Sequence, residues 1–124
     1  MPFIHVKSLP FAASLDVSSV VEGVTEDFAR ETGIGLEHVT ATWEFFLIGH
    51  YAVAGKTVRY QPRDSHPVIV DLLAFNAGDE VERMLQAVAR SIAGRVEVGI
   101  DNIVVNYRQA HSVMVFDAGE VVRW

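Results

Sequence analysis

A proline, Pro2, follows the first methionine directly and is itself followed by an apolar run, Phe3-Ile4-His5-Val6. Methionine before a small residue is usually removed, and its removal would leave Pro2 with a free secondary amine at the head of a strand. The pKa of an α-amino group is about 7.7–8.0, and burial or a neighbouring cation lowers it. Pro2 could therefore act as a general base near neutral pH. The alternative is that Pro2 simply starts a strand, where its missing N–H does no harm.

Other chemistries find less support in the sequence. The histidines form neither a His-x-His pair nor a His-Glu-x-x-His helix, so we predict no metal site; they are His5, His38, His50, His66 and His111. Cysteine is absent, which excludes thiolate catalysis. No glycine-rich phosphate loop and no Gly-x-Ser-x-Gly elbow occurs, so we predict no cofactor.

Composition limits the class of protein. The chain has 124 residues, half of them hydrophobic and 21% charged, which predicts a single folded domain over residues 1–124. The net charge of −6, without a basic stripe, argues against nucleic acid and anionic membranes as partners. Neither a leader nor a long apolar span is recognisable, so the expected location is the cytoplasm.

The sequence repeats itself at a shift of 64 residues. Apolar residues at helical spacing in one half coincide with apolar residues in the other: Val17, Val20, Val21, Val24 and Phe28 fall on Val81, Met84, Leu85, Val88 and Ile92. We predict two pseudo-repeats, about 2–46 and 66–110, each a strand–helix–strand unit. The repeat places His66 opposite Pro2, where it could act as an acid or base, although a histidine before a proline is more often a loop residue.

Start and stop signals bound the elements. The predicted strands are Phe3–Leu9, Val39–Phe46, Pro67–Phe75 and Ile103–Tyr107. The first helix is predicted over Leu15–Glu31, with Ser14 or Asp16 as N-cap and Gly33 as its stop. The second is predicted to begin at an Asp79 cap with Glu82 completing a capping box, and to end near Gly94. A hairpin or an extended arm is predicted in 47–61, with Ala54-Gly55-Lys56 as the turn, and a terminal hairpin is predicted in 113–124, around Asp117-Ala118-Gly119.

These elements predict an α+β two-layer sandwich with a four-stranded core sheet, two helices on one face and extra hairpins. Strand–helix–strand connections require parallel strands within each unit. The second face of the sheet, predicted to include Ile69, Leu73 and Val105, would then be uncovered. We therefore expect a homo-oligomer.

The duplicated unit, the proline after Met1 and the terminal hairpin together resemble the tautomerase superfamily, which includes oxalocrotonate tautomerase and macrophage migration inhibitory factor (MIF). In length and tail the chain looks closest to the uncharacterised DUF1904-like branch. Three short motifs carry the resemblance: Gly49-His50-Tyr51-Ala52-Val53-Ala54-Gly55, Val105-Asn106-Tyr107, and Pro67-Val68-Ile69-Val70-Asp71 with Phe75.

The resemblance implies a tautomerase (MIF-like) fold and a homotrimer whose pocket lies near Pro2 and is built partly by a neighbouring subunit. It implies that Pro2 moves a proton on a small keto/enol carboxylic acid without a cofactor. Tyr51 matches an active-site aromatic residue of oxalocrotonate tautomerase, and Asn106 matches a pocket asparagine of MIF. A solvated amide is the alternative for Asn106, and a packing role in the next subunit is the alternative for Tyr51.

The chain also departs from this pattern. The arginine expected after the first strand has no counterpart in Leu9–Ser14, and Thr40 stands where a second arginine is expected. A carboxylate-binding cation would have to come from elsewhere, and the candidates are Lys7, Lys56, Arg59, Arg63 and Arg108. We include Lys7 and Arg108 among the predicted binding residues, with Tyr51, Asn106 and His66. The alternative function is a non-catalytic trimeric binding or structural protein that retains Met1. A hydratase or dehalogenase-like use of Pro2 is a further alternative.

Overall fold

The structure, a computed structural model, describes residues 2–11, 13–60, 67–75 and 78–124. Four strands and two helices form the main body: β1 (Phe3–Ser8), α1 (Val17–Thr32), β2 (Thr40–Phe45), β5 (Val68–Ala74), α2 (Val81–Arg95) and β6 (Ile103–Gln109). Four two-residue strands form hairpins: β3 (Ala52–Val53) with β4 (Lys56–Thr57), and β7 (Phe116–Asp117) with β8 (Glu120–Val121).

The four long strands form one sheet in the order β2-β1-β5-β6. β1 pairs with β2, and β5 with β6, in parallel, while β1 and β5 are antiparallel at the centre. The two helices begin 64 residues apart, at Val17 and Val81, so the sequence repeat corresponds to two βαβ units. The predicted α+β architecture is confirmed.

The predicted capping residues are observed at the ends of α1 but not at the start of α2. Asp16 caps α1 by accepting the N–H of Ser19, and Gly33 ends the helix with φ +77°, as predicted. The predicted Asp79 cap of α2 is wrong. Asp79 lies in a short 3₁₀ turn, Gly78–Glu80, and Glu80 takes the N-cap position without a side-chain hydrogen bond. Because Asp79 lies inside this 3₁₀ turn, it does not occupy the N-cap position that a capping box with Glu82 requires.

One face of the sheet packs against both helices. Side chains from that face, including Ile4, Val70 and Leu72, are buried together with Phe28 of α1 and Val88 of α2. Strand residues alternate between the two faces, so Phe3, His5 and Lys7 point to the other side. The helical layer therefore buries the apolar side chains on one face of the sheet and leaves the side chains on the other face uncovered.

The second face differs from the prediction at one position. Ile69 and Leu73 lie on it, but Val105 packs against the helix-side core. Val105 is paired with Val70 across β5 and β6, and this register carries it to the buried side. Its neighbour Val104 instead points to the uncovered face and is 52% exposed.

The helices are joined by a cluster around Asp27. Its carboxylate accepts two hydrogen bonds from the Arg95 guanidinium, at 2.9 and 3.0 Å, and one from the Ser91 hydroxyl at 2.6 Å. Arg30 contributes a further contact at 2.9 Å. These donors, Arg95 first, hold the pKa of Asp27 far below its ordinary value. The cluster links the C-terminal end of α2 to the middle of α1.

Both hairpins form as predicted. The turn of the first places Ala54 and Gly55 at positive φ, and the turn of the second does the same with Ala118 and Gly119. The tail ends with the Trp124 ring packed edge-on against Phe75, with centroids 4.7 Å apart. Neither helix of the described chain is long and apolar enough to cross a membrane.

Candidate functional site

Pro2 lies at one end of the sheet. It immediately precedes β1, its side chain is less than 2% exposed, and its carbonyl accepts the N–H of Thr40 at 3.0 Å. The start of β2 and the ends of β5 and β6 meet at this same end, because β1 is parallel to β2 and antiparallel to β5. Thr40, where the resemblance would place an arginine, is therefore an immediate neighbour of Pro2.

Two predicted binding residues lie on the uncovered face of β6. Arg108 pairs with Leu73, which pairs with Phe3, so Arg108 belongs to the Pro2 end, about 10 Å from β1 across two strand spacings. Asn106 lies in the next row, beside Asp71 and then His5. Both side chains are exposed. The fold thus places Arg108 and Pro2 at the same end of the sheet, on strands separated by β5.

Lys7 lies at the opposite end of β1. It lies five positions along the chain from Pro2, which corresponds to about 16 Å of extended strand. It pairs with Glu44 of β2 and, with Phe45, Phe46, Leu47 and His50, lines a pocket of about 210 Å³. We call this cavity the Lys7 pocket. Within one chain, Lys7 and Pro2 do not belong to the same site.

Tyr51 also lies at the Lys7 end. Its ring packs on Phe46, with centroids 5.6 Å apart, and Phe46 is part of the wall of the Lys7 pocket. Partial burial raises the pKa of the Tyr51 hydroxyl, which keeps it protonated and able to donate a hydrogen bond at neutral pH. The predicted aromatic residue and the predicted lysine are thus neighbours, both remote from the Pro2 of their own chain.

A polar row crosses the centre of the uncovered face. Thr42, His5, Asp71 and Asn106 lie side by side on the four strands. The Nδ1 of His5 hydrogen bonds to the Oγ1 of Thr42, and its Nε2 lies 3.4 Å from Glu44. Among the described residues, no three histidine or acidic side chains converge in a way that would hold a metal ion.

Three residues of the sequence hypothesis, Met1, Arg63 and His66, lie outside the described residues. Two others were missed. Glu44 and His50 belong to the Lys7 pocket, and the alternation of Thr42 and Glu44 with Trp43 could have placed Glu44 beside Lys7. His50 has no comparable signal, because its position depends on the turn between Leu47 and His50, closed by a 2.9 Å backbone hydrogen bond.

A four-stranded sheet built from two antiparallel βαβ units, with both helices on one side, is the fold of the tautomerase superfamily, and the predicted tautomerase (MIF-like) fold is confirmed. The crystal structure of Pt0534 inactivated by 2-oxo-3-pentynoate has a TM-score of 0.77 with this chain, covers 97% of this chain and 94% of Pt0534, and shows 12% sequence identity. A fused 4-OT, described as a wild-type symmetric trimer, is 14% identical, with a TM-score of 0.76 over 97% and 94%.

A MIF-like protein from Entamoeba histolytica is 11% identical, with a TM-score of 0.61 over 90% of each chain. At these identities the likeness establishes the fold alone. No protein-family model and no curated protein sequence matches the chain. The DUF1904-like branch therefore stays a prediction.

Proposed function

We propose that this chain is a cofactor-free tautomerase or isomerase that moves a proton on a small keto/enol acid, with Pro2 as general base once Met1 has been removed. The observation that carries the proposal is the placement of Pro2, buried at the head of β1 and held through its carbonyl by Thr40. Burial disfavours a charged ammonium relative to the neutral amine, and the neutral amine is the form that accepts a proton.

In the proposed reaction, the lone pair of the Pro2 nitrogen takes a proton from the carbon next to the substrate keto group. The electrons of that C–H bond form the enol double bond, and negative charge moves to the oxygen. Arg108, at the same end of the sheet, is the proposed donor for that oxygen. Protonated Pro2 then returns the proton to the enolate oxygen, which gives the enol, or, where the enolate is conjugated with a C=C bond, to the far carbon of that bond. Either step regenerates the base without any redox partner, and ketonisation of an enol is the reverse of the first.

Native protein is expected to lack Met1 and to react with 2-oxo-3-pentynoate, a keto acid that carries a triple bond. The amine nitrogen would add to the triple bond and its proton would pass to the neighbouring carbon, so the adduct gains the full mass of the reagent. Intact mass and peptide mapping should place one adduct per chain on Pro2. Retention of Met1 in the native host would leave Pro2 an amide, which has no basic lone pair, and would contradict the proposal.

The second candidate function is a non-catalytic trimer that keeps the fold. Thr40, in the place where the resemblance would put an arginine, favours it, because the Pro2 end of the sheet then lacks one of the expected carboxylate-binding cations. This candidate predicts that Met1 is retained and that no adduct forms.

Both candidates include a homotrimer. The tail hairpin exposes a group of large apolar side chains, with Met114 80%, Phe116 71% and Val113 54% exposed, and exposed apolar patches of this kind mark interaction surfaces. The trimeric fused 4-OT has the same fold. Light scattering on the purified protein should give three chain masses, and Met114→Asp with Phe116→Asp should lower that mass. A single chain mass for the unmodified protein would contradict the trimer.

A further inference from the structure

Three polar side chains on the uncovered face of the sheet place a hydroxyl, an imidazole and a carboxylate in sequence. The Thr42 hydroxyl is hydrogen bonded to the Nδ1 of His5, and the Nε2 of the same ring lies 3.4 Å from the Glu44 carboxylate. We call these three residues the Thr42 relay. A hydroxyl in contact with a base that is itself oriented by a third group is the arrangement that activates a nucleophile.

The pairing of β1 with β2 positions the relay. Thr42 and Glu44 are two positions apart on β2, so both side chains point to the uncovered face. His5 lies directly opposite Thr42 on β1. The strands of the main sheet, rather than loops, therefore hold all three side chains.

The surrounding charges suit a proton transfer from Thr42 to His5. The carboxylate beside Nε2 favours the ring form that carries its proton there, which leaves Nδ1 free to accept the proton of the Thr42 hydroxyl. Asp71 lies opposite His5 on β5, so the protonated ring would stand between two carboxylates that stabilise it. Lys7, on the same face and opposite Glu44, supplies a cation for negative charge on a substrate oxygen.

The relay is open to solvent. Thr42 and Glu44 are exposed, and the His5 side chain is 36% exposed. An open site contacts a reactant mainly through the reacting group, so it gains little binding energy from the rest of the molecule. It therefore suits a small acyl donor with a good leaving group, such as an activated short-chain ester.

We propose that Thr42 is a nucleophile for acyl transfer, with His5 as its general base and Glu44 as the residue that orients the ring. The Thr42 oxygen bonds to the ester carbonyl carbon while its proton passes to Nδ1 of His5. The bond from that carbon to the leaving oxygen then breaks, and the leaving oxygen takes the proton from His5. Water, losing its proton to His5, attacks the acyl-threonine in the same way, which releases the carboxylic acid and restores the hydroxyl. Pro2 takes part in none of these steps.

The test is the reaction of the full chain with 4-nitrophenyl acetate, quenched with acid at a series of times. Peptide mapping by mass spectrometry should place an acetyl group on Thr42, and hydroxylamine should remove it because it cleaves esters. Acetylated amines are amides that hydroxylamine leaves intact, so labelled lysines do not imitate the ester. The proposal would be overturned by an unlabelled Thr42 at every time together with an unchanged release of 4-nitrophenolate in Thr42→Val.

Variants separate the relay from a hydroxyl that reacts unaided. Thr42→Ser keeps the hydroxyl and should keep the labelling, whereas Thr42→Val should lose it. His5→Gln should slow the labelling of Thr42 by about 10²-fold or more, the usual contribution of a positioned general base. Labelling at the same rate in His5→Gln would show that the imidazole has no part in the reaction and would refute the relay.

Thr57→Val is the matched control. Thr57 is also an exposed strand threonine, but it pairs with Ala52 in the β3–β4 hairpin rather than with a histidine. This variant should label Thr42 at the rate of the unmodified protein, and Thr57 itself should gain no acetyl group when Thr42 does. Equal labelling of Thr42 and Thr57 in the unmodified protein would mean that exposure alone decides the reaction, and would contradict the proposal.

Discussion

Pro2→Ala is expected to lower the rate of ketonisation of a small enol acid by about 10²–10⁴-fold, the usual contribution of a positioned general base. Alanine after Met1 still permits removal of the methionine, so the variant exposes a primary amine in place of the ring nitrogen. The rate is measured by the ultraviolet absorbance of the enol. For the unmodified protein it should fall as the pH is lowered, because protonation of the amine removes the base.

Pro67→Ala is the matched control. Pro67 immediately precedes β5 as Pro2 precedes β1, and it is also at least half-buried, but its nitrogen is an amide and cannot accept a proton. This variant should retain the activity of the unmodified protein to within about twofold. An equal rate in Pro2→Ala and in the unmodified protein would refute Pro2 as the base, whatever the effect of the control.

Local signals in the sequence were sufficient for most of the fold. Apolar residues at helical spacing located α1 and α2, and the Asp16 cap and Gly33 stop fixed the ends of α1. The two errors share a cause, because each depended on a choice of one residue. The capping box favoured Asp79 over Glu80, and Val105 rather than its neighbour Val104 was assigned to the uncovered face, whereas the register of β6 with β5 places Val105 on the helix side.

The candidate site was less predictable, because it depends on which strand ends meet. The sequence marked Lys7, Tyr51 and Arg108 as candidates but could not place them. The antiparallel pairing of β1 with β5 brings Arg108 to the Pro2 end, and the parallel pairing of β1 with β2 leaves Lys7 and Tyr51 at the other. The parallel pairing within each unit was predicted from the strand–helix–strand connections, but the antiparallel pairing of β1 with β5, which joins the two units, was not.

Asp27→Asn is expected to lower the free energy of unfolding by about 2 kcal/mol at pH 7, because it removes the charge that Arg95, Ser91 and Arg30 all contact. The pKa of Asp27 is lowered in the folded protein, so the charged form stabilises the fold above the unfolded pKa of about 3.9. The stability difference from the unmodified protein should be full above about pH 5 and should shrink as the pH falls below 3.9.

The measurement is urea unfolding at one protein concentration across this pH range, since assembly would make the apparent stability depend on concentration. Glu22→Gln, an exposed charge on the same helix, is the control and should change stability by less than about 0.5 kcal/mol. A difference for Asp27→Asn that is the same at pH 3 and pH 7 would contradict the assignment of the charge as its cause.

Gly23→Ala is expected to disturb the Asp27–Arg95 ion pair without removing either charge. A Cβ at Gly23 would lie 2.0 Å from the Cζ of Arg95, so the guanidinium must shift from the position in which it bonds to Asp27. Gly94→Ala is the matched control, because a Cβ there meets no described atom within 4 Å and alanine favours a helix by about 0.5–1 kcal/mol. Gly94→Ala should therefore stabilise the protein and Gly23→Ala should destabilise it. Stabilisation by both variants would show that Arg95 shifts and still pairs with Asp27. The packing of its guanidinium over Gly23 would then contribute nothing to stability.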